Sequence, residues 1–222
     1  MEQHIVKLLS IEKVTHDTRR YVVEKPAGYH FKPGQATEVA LNLDGWRGEK
    51  RPFTFTSLPS DAHLEFIIKS YQDHYGVTYQ LGRLEPGAEL ILHDVWGAVT
   101  YDGPGTFIAG GAGVTPFIAI FRDLAARGKI AGNRLIFSNK TEADIILRDE
   151  LSRLMGNSAE FIVTRDRESP HYGARLDFDG LERRIDDATQ QYYVCGPKQM
   201  VKDILAHLQD LGIKSERLVF ER

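Results

Sequence analysis

From Ile5 to His93 the apolar residues come in short runs rich in β-branched and aromatic types, cut by turn signals at Pro26-Ala27-Gly28, Pro33-Gly34, Asp44-Gly45 and Pro86-Gly87. This pattern predicts strands over 5–14, 19–24, 35–41, 51–57, 64–69 and 89–92, with one short helix over 77–84. After Trp96-Gly97 the texture changes. Buried runs at 106–109, 134–137, 160–163 and 191–194 alternate with helix-length segments at 115–127, 143–155 and 198–211, which predicts βαβ crossovers and a parallel sheet. The expected architecture is two domains: an all-β antiparallel Greek-key barrel over residues 1–101, then an α/β parallel-sheet domain over 102–222. The division falls in the stretch from Ala98 to Gly105, which carries Gly103-Pro104-Gly105.

With 222 residues, 42% of them hydrophobic, the chain can fill two small cores. A net charge of -3 spread over many charges of both signs gives no global field for nucleic acid or an anionic membrane. The N-terminal MEQHIVKLLSIEKV has no basic region followed by a long apolar stretch, and no apolar run approaches the ~20 residues that span a bilayer. The expectation is a soluble, cytoplasmic protein. A single cysteine, Cys195, allows no disulfide within the chain and no four-thiolate iron-sulfur cluster built from it. No histidine pair has the spacing of a metal site, so no metal is expected.

Three short motifs carry candidate chemistry. In Arg51-Pro52-Phe53-Thr54 a planar guanidinium, an aromatic ring and a hydroxyl stand on one predicted strand, suited respectively to a diphosphate, a flat ring system and its polar edge. A surface arginine on an ordinary strand is the plainer reading. Gly110-Gly111-Ala112-Gly113-Val114-Thr115-Pro116 follows an apolar strand and opens a helix, where glycines let the backbone approach a pyrophosphate and Pro116 fits the first turn. The plainer reading there is a tight βα turn. Tyr193-Val194-Cys195-Gly196-Pro197 ends another predicted parallel strand, so its loop and the Gly110 loop should face one crevice. Cys195 is then either a small side chain beside a ligand ring or a buried structural thiol.

In order, spacing and element type, these motifs resemble those of the ferredoxin-NADP reductase family over nearly the whole chain. The family's arginine-x-aromatic-hydroxyl motif corresponds to Arg51, Pro52, Phe53 and Thr54, and its G-x-G-x-x-P motif to Gly111, Gly113, Thr115 and Pro116. Its C-G-P motif corresponds to Cys195, Gly196 and Pro197. The resemblance implies an FAD-binding barrel followed by an NAD(P)-binding domain. It implies that Arg51 binds the FAD pyrophosphate, that Phe53 packs near the flavin ring, and that Thr54 hydrogen-bonds near its N5. Ile67 and Lys69 would add backbone contacts along the ribityl chain, and Gly76-Val77-Thr78 would open a short helix under the second phosphate. Here one residue separates the glycine from the hydroxyl where relatives have two, which keeps FMN as the alternative flavin. Where many relatives end on an aromatic over the flavin, Phe220 is expected in a last strand.

The implied chemistry is hydride transfer from nicotinamide to flavin, with Thr54 and Cys195 as the residues nearest the reaction. The family's serine-arginine pair for the NADPH 2'-phosphate falls at Thr164-Arg165, with Lys140 close by, which favours NADPH over NADH. Electrons would pass to an external acceptor, flavodoxin or ferredoxin first. The alternatives are a free-flavin reductase, the reductase component of an oxygenase, and, in a different class, a non-enzymatic docking or regulatory subunit.

Overall fold

The computed structural model describes residues 3–71, 75–97, 99–173, 175–185 and 187–220. The chain divides into two compact units, Met1–Ala98 and Val99–Arg222.

The first unit is a six-stranded antiparallel sheet. Its strands are β1 (His4–Lys13), β2 (Thr18–Glu24), β3 (Gln35–Leu41), β4 (Arg51–Thr54), β5 (His63–Lys69) and β6 (Glu89–Gly97), in the spatial order β4-β3-β6-β1-β2-β5. Two irregularities curl it. β1 gives its first four residues to β6 and its remainder to β2, with a register shift between Leu8 and Ser10. β6 carries an extra residue against β3, since Thr37 pairs with Val95 while Val39 pairs with Leu92. The His93 carbonyl at this bulge accepts from Thr37 Oγ1 at 2.8 Å and from the Tyr29 hydroxyl at 2.7 Å.

The two outer strands approach each other just past β4. Thr56 N donates to the Glu65 carbonyl at 2.9 Å, and Glu65 N donates to Ser57 Oγ at 3.0 Å. The predicted strand over 51–57 therefore ends at Thr54, because the chain leaves β3 there and turns toward β5. Alternate residues point inward. Tyr21 and Val23, Val39 and Leu41, Leu64 and Phe66, and Leu90 and Leu92 fill the core. Helix α1 (Val77–Leu81) contributes Val77 and Leu81 to it and stops three residues short of the predicted 77–84, at Gly82. Phe55 is fully buried at the centre, stacked on Phe31 at 4.2 Å and 5.2 Å from Phe66.

The second unit is a parallel sheet with strands β7 (Gly105–Gly110), β8 (Arg134–Asn139), β9 (Ala159–Val163), β10 (Gln191–Cys195) and β11 (Leu218–Phe220), in the order β11-β10-β7-β8-β9. Between them run α2 (Thr115–Ala126), α3 (Arg148–Met155), α4 (Phe178–Glu182) and α5 (Lys198–Asp210). The chain winds outward from β7 to β9, then returns to the other side of β7 as β10. β7 and β10 are thus the pair at which the winding reverses, where open α/β sheets collect ligands.

The predicted helix over 143–155 is interrupted. A 3₁₀ turn at Glu142–Asp144 is held by a reciprocal capping box between Thr141 and Asp144, and Leu147 adopts a left-handed φ of 50° before α3 begins. Phe220 lies in β11, paired with Val194, and packs on the core beneath α5.

The lead-in to β7 is clasped to the sheet. Tyr101 stacks 5.9 Å from Tyr193, whose hydroxyl accepts from Asp102 N at 2.8 Å and donates to the Gly103 carbonyl at 2.7 Å. Burial pushes the Tyr193 phenol up to about 12, so it stays protonated and able to donate. Phe55→Ala is expected to cost about 3–5 kcal/mol in the first unit. Guanidinium unfolding followed by tryptophan fluorescence checks this, and a loss below about 1 kcal/mol would mean that the ring is not packed as described.

Candidate functional site

The predicted site residues fall in two groups, one on each unit. On the first unit, Arg51, Pro52, Phe53 and Thr54 make up β4, in register with Val39, Glu38, Thr37 and Ala36. Phe53 is half-buried against the core, while Arg51 stays exposed. One Arg51 nitrogen donates to the Lys50 carbonyl at 2.6 Å, and the nearest carboxylate oxygen, on Glu49, is 3.9 Å away. Such an exposed pair contributes little and leaves the guanidinium available to an anion. No described residue hydrogen-bonds to the half-buried Thr54 hydroxyl.

Ile67 and Lys69 lie on β5, an edge strand whose ladder partner is β2. The Lys69 ammonium is committed to Asp17 at 2.7 Å, so this lysine has its main chain rather than its charge to offer. Burial raises the Asp17 carboxyl, but the hydrogen bond and charge of Lys69, with Thr15, outweigh it and hold Asp17 below the ordinary aspartate value. Gly76 stands at the N-cap of α1 in extended conformation, followed by buried Val77 and half-buried Thr78. Tyr75, just before it, meets Trp46 edge to face at 5.6 Å, which brings this turn beside the segment leading into β4.

On the second unit, the two glycine-bearing loops meet backbone to backbone. Gly111 to Val114 form a 3₁₀ turn rather than a direct strand-to-helix junction, and α2 begins at Thr115 with Pro116 in its first turn. A Cβ on Gly113 would fall on the Cys195 carbonyl and within 2.5 Å of Gly196 Cα. A Cβ on Gly110 would strike the Met200 sulfur, and one on Gly196 would lie 3.2 Å from Gly110 N. Gly111 differs: its φ is +53° and nothing lies within 4 Å of where its Cβ would be, so the turn presents bare main chain to open space. The Thr115 hydroxyl donates to the Ala112 carbonyl at 2.9 Å and locks the turn. Cys195 is buried at the end of β10, paired with Ala109, and Pro197 caps α5.

The ends of β8 and β9 are stitched together. The Asn139 carbonyl accepts from Thr164 N at 3.0 Å and from Thr164 Oγ1 at 3.1 Å, and Arg165 N donates to the Lys140 carbonyl at 2.8 Å. Exposed Lys140 and Arg165 thereby stand on neighbouring strand ends, with no ion pair to any described residue. The loop after Arg165 folds back on β9, since Val163 N donates to the His171 carbonyl and Gly173 N to the Val163 carbonyl. Sequence reasoning missed Asn139 at this edge. It carried no distinguishing signal, since Arg134 and Ser138 of the same strand are polar too.

Residues 107–205 match the family model described as the oxidoreductase NAD-binding domain. Over 97% of its length the chain is 28% identical to ferredoxin–NADP reductase B of Sorangium cellulosum (strain So ce56), covering 96% of that protein. In sequence the chain is thus similar to the ferredoxin–NADP reductases. It is also 28% identical, over 97% of its length, to the reductase component of propane 2-monooxygenase from Rhodococcus jostii (strain RHA1), and covers 62% of that protein. All of it superposes on part of the flavohemoglobin of Malassezia yamatoensis solved with FAD and heme, with a TM-score of 0.83, 26% identity and 60% of that chain covered. It spans less than two thirds of the length of several curated relatives.

The close approach at Gly113 separates two kinds of glycine. Gly113→Ala is expected to cost about 1–3 kcal/mol by forcing apart main chain that cannot yield. Gly111→Ala should cost about 1–2 kcal/mol from its left-handed φ alone, with no repacking. Amide hydrogen exchange would show the difference: Gly113→Ala raises exchange along β7 and β10, and Gly111→Ala leaves those strands protected. Equal effects of the two variants on these strands would refute the contact.

Proposed function

We propose that this chain is an NAD(P)H-dependent flavoprotein reductase: it holds FAD on the first unit, receives NAD(P)H on the second, and passes electrons to a carrier outside these 222 residues. The observation that carries the reading is the pair of glycine loops at the winding reversal between β7 and β10. Residues with Cβ atoms at positions 113 and 196 would force those loops apart, and the bare main chain at Gly111 suits close approach of a pyrophosphate.

The donor set on the first unit fits a dinucleotide flavin. Arg51 offers a bidentate, lightly committed guanidinium for phosphate oxygens, Phe53 a half-buried ring, and Thr54 a hydroxyl without a described partner. The main chain of Ile67 and Lys69 lies on an edge strand, and Gly76, Val77 and Thr78 open α1. FAD supplies the capacity to take a hydride and release electrons singly or in pairs. The chain's own contribution is alignment: Thr54 steadies the acceptor edge, while Thr115, Pro116 and the Cys195-Gly196-Pro197 loop set the position of the nicotinamide. Cys195 serves as a small buried wall rather than a nucleophile.

Lys140 and Arg165, side by side and unpaired among the described residues, support NADPH as the preferred donor, with Thr164 turned inward to Asn139. For the acceptor, flavodoxin or ferredoxin is the reading nearest to the Sorangium relative, whose name is ferredoxin–NADP reductase, and an oxygenase component is that nearest to the Rhodococcus one.

Anaerobic stopped-flow titration tests the assignment. The purified protein should be yellow and bleach with NADPH faster than with NADH. Thr54→Ala should slow bleaching on the order of tenfold or more while nucleotide affinity changes less than about twofold. Colourless protein that binds no flavin would refute the reading.

A further inference from the structure

Asn139 is the last residue of β8 and is 5% exposed, yet neither its Oδ1 nor its Nδ2 has a hydrogen-bond partner. A carboxamide withdrawn from water with both ends unused destabilises the fold, because its lost hydration is not replaced. Its main-chain carbonyl, by contrast, is doubly used by Thr164. The strand pleat places the side chain on the same sheet face as Leu135 and Phe137. Leu135 is in register with Phe107, whose ring meets Phe117 and Phe121 of α2. Asn139 is therefore on the face carrying α2, at the carboxyl edge of the sheet, one residue beyond the ladder pair Gly110–Ser138 and so beside Gly111.

Sheet order gives that position a meaning. Along the edge run Cys195-Gly196 on β10, the Gly111 turn on β7, Asn139 on β8, and Thr164-Arg165 on β9. Under the reading above, the pyrophosphate lies at Gly111 and the 2'-phosphate end at Lys140 and Arg165. What lies between those two is the adenosine ribose. A phosphate could use only the donor half of a carboxamide, whereas a sugar hydroxyl both donates and accepts, matching a group with both halves vacant.

We propose that Asn139 is a positioning residue for the nucleotide, its carboxamide hydrogen-bonding the free 3'-hydroxyl of the adenosine ribose. The proposal rests on the reductase reading but assigns a contact that the sequence motifs do not contain. It also explains why a buried polar group is kept without a partner: the cost is recovered when the nucleotide binds.

The test uses purified protein with its flavin bound, so that the first unit's site is filled, and titrates 2'-phospho-ADP and its 3'-deoxy analogue calorimetrically. Wild type is expected to bind the compound with the 3'-hydroxyl about tenfold more tightly, equivalent to about 1.4 kcal/mol. Asn139→Leu should bind both equally, at the wild-type level for the 3'-deoxy analogue, and should melt at or above the wild-type temperature because the amide makes no bond within the protein. Asn139→Ala provides a second variant with the same expected loss of discrimination. Discrimination that survives in both variants, or is missing from wild type, overturns the role of Asn139 while leaving the reductase reading standing. A wild type that binds flavin but neither nucleotide overturns both.

Discussion

The second unit depends on how closely two stretches of main chain can approach. Gly113 rests against the Cys195 carbonyl and Gly196, and Gly196 against Gly110, with no side chain between them. That contact lies at the carboxyl ends of β7 and β10, the one adjacent pair in the sheet between which the winding changes direction. Everything built at that edge follows from it. The 3₁₀ turn, the start of α2 at Thr115 and the cap of α5 at Pro197 all take their positions from loops that only glycine lets close.

Much of this was legible in the residues, for definable reasons. Strands such as 19–24 and 35–41 alternate or run apolar between Gly and Pro punctuation, and a period of two needs no tertiary information. The Gly110 to Pro116 turn declares itself because glycine and first-turn proline each have a narrow backbone use. What was not legible depends on neighbours distant in sequence. The end of β4 is set by Thr56 choosing Glu65 over β3, and the break before α3 by a left-handed Leu147 that no propensity announces.

Asn139 shows the same limit at the site itself. Polar residues close many strands, and in a sequence this one is indistinguishable from a solvated strand end. Only burial together with the missing partners separates it from its kind. Lys69 shows the converse. A lysine near a cofactor motif invites an electrostatic role, but its ammonium is already taken by Asp17, and the attraction that lowers the Asp17 pKa is what removes that charge from other uses.

The Tyr193 clasp has a practical side. Its phenol satisfies Asp102 N and the Gly103 carbonyl, and its ring stacks against Tyr101 and Phe107, so the run-in ahead of β7 is a structural part of the second unit. A fragment of that unit begun at Gly105 would strand a hydroxyl in the interior and strip one side from the aromatic stack. Autonomy of the α/β half therefore has to be sought from Val99 onward, where the clasped segment travels with the sheet that holds it.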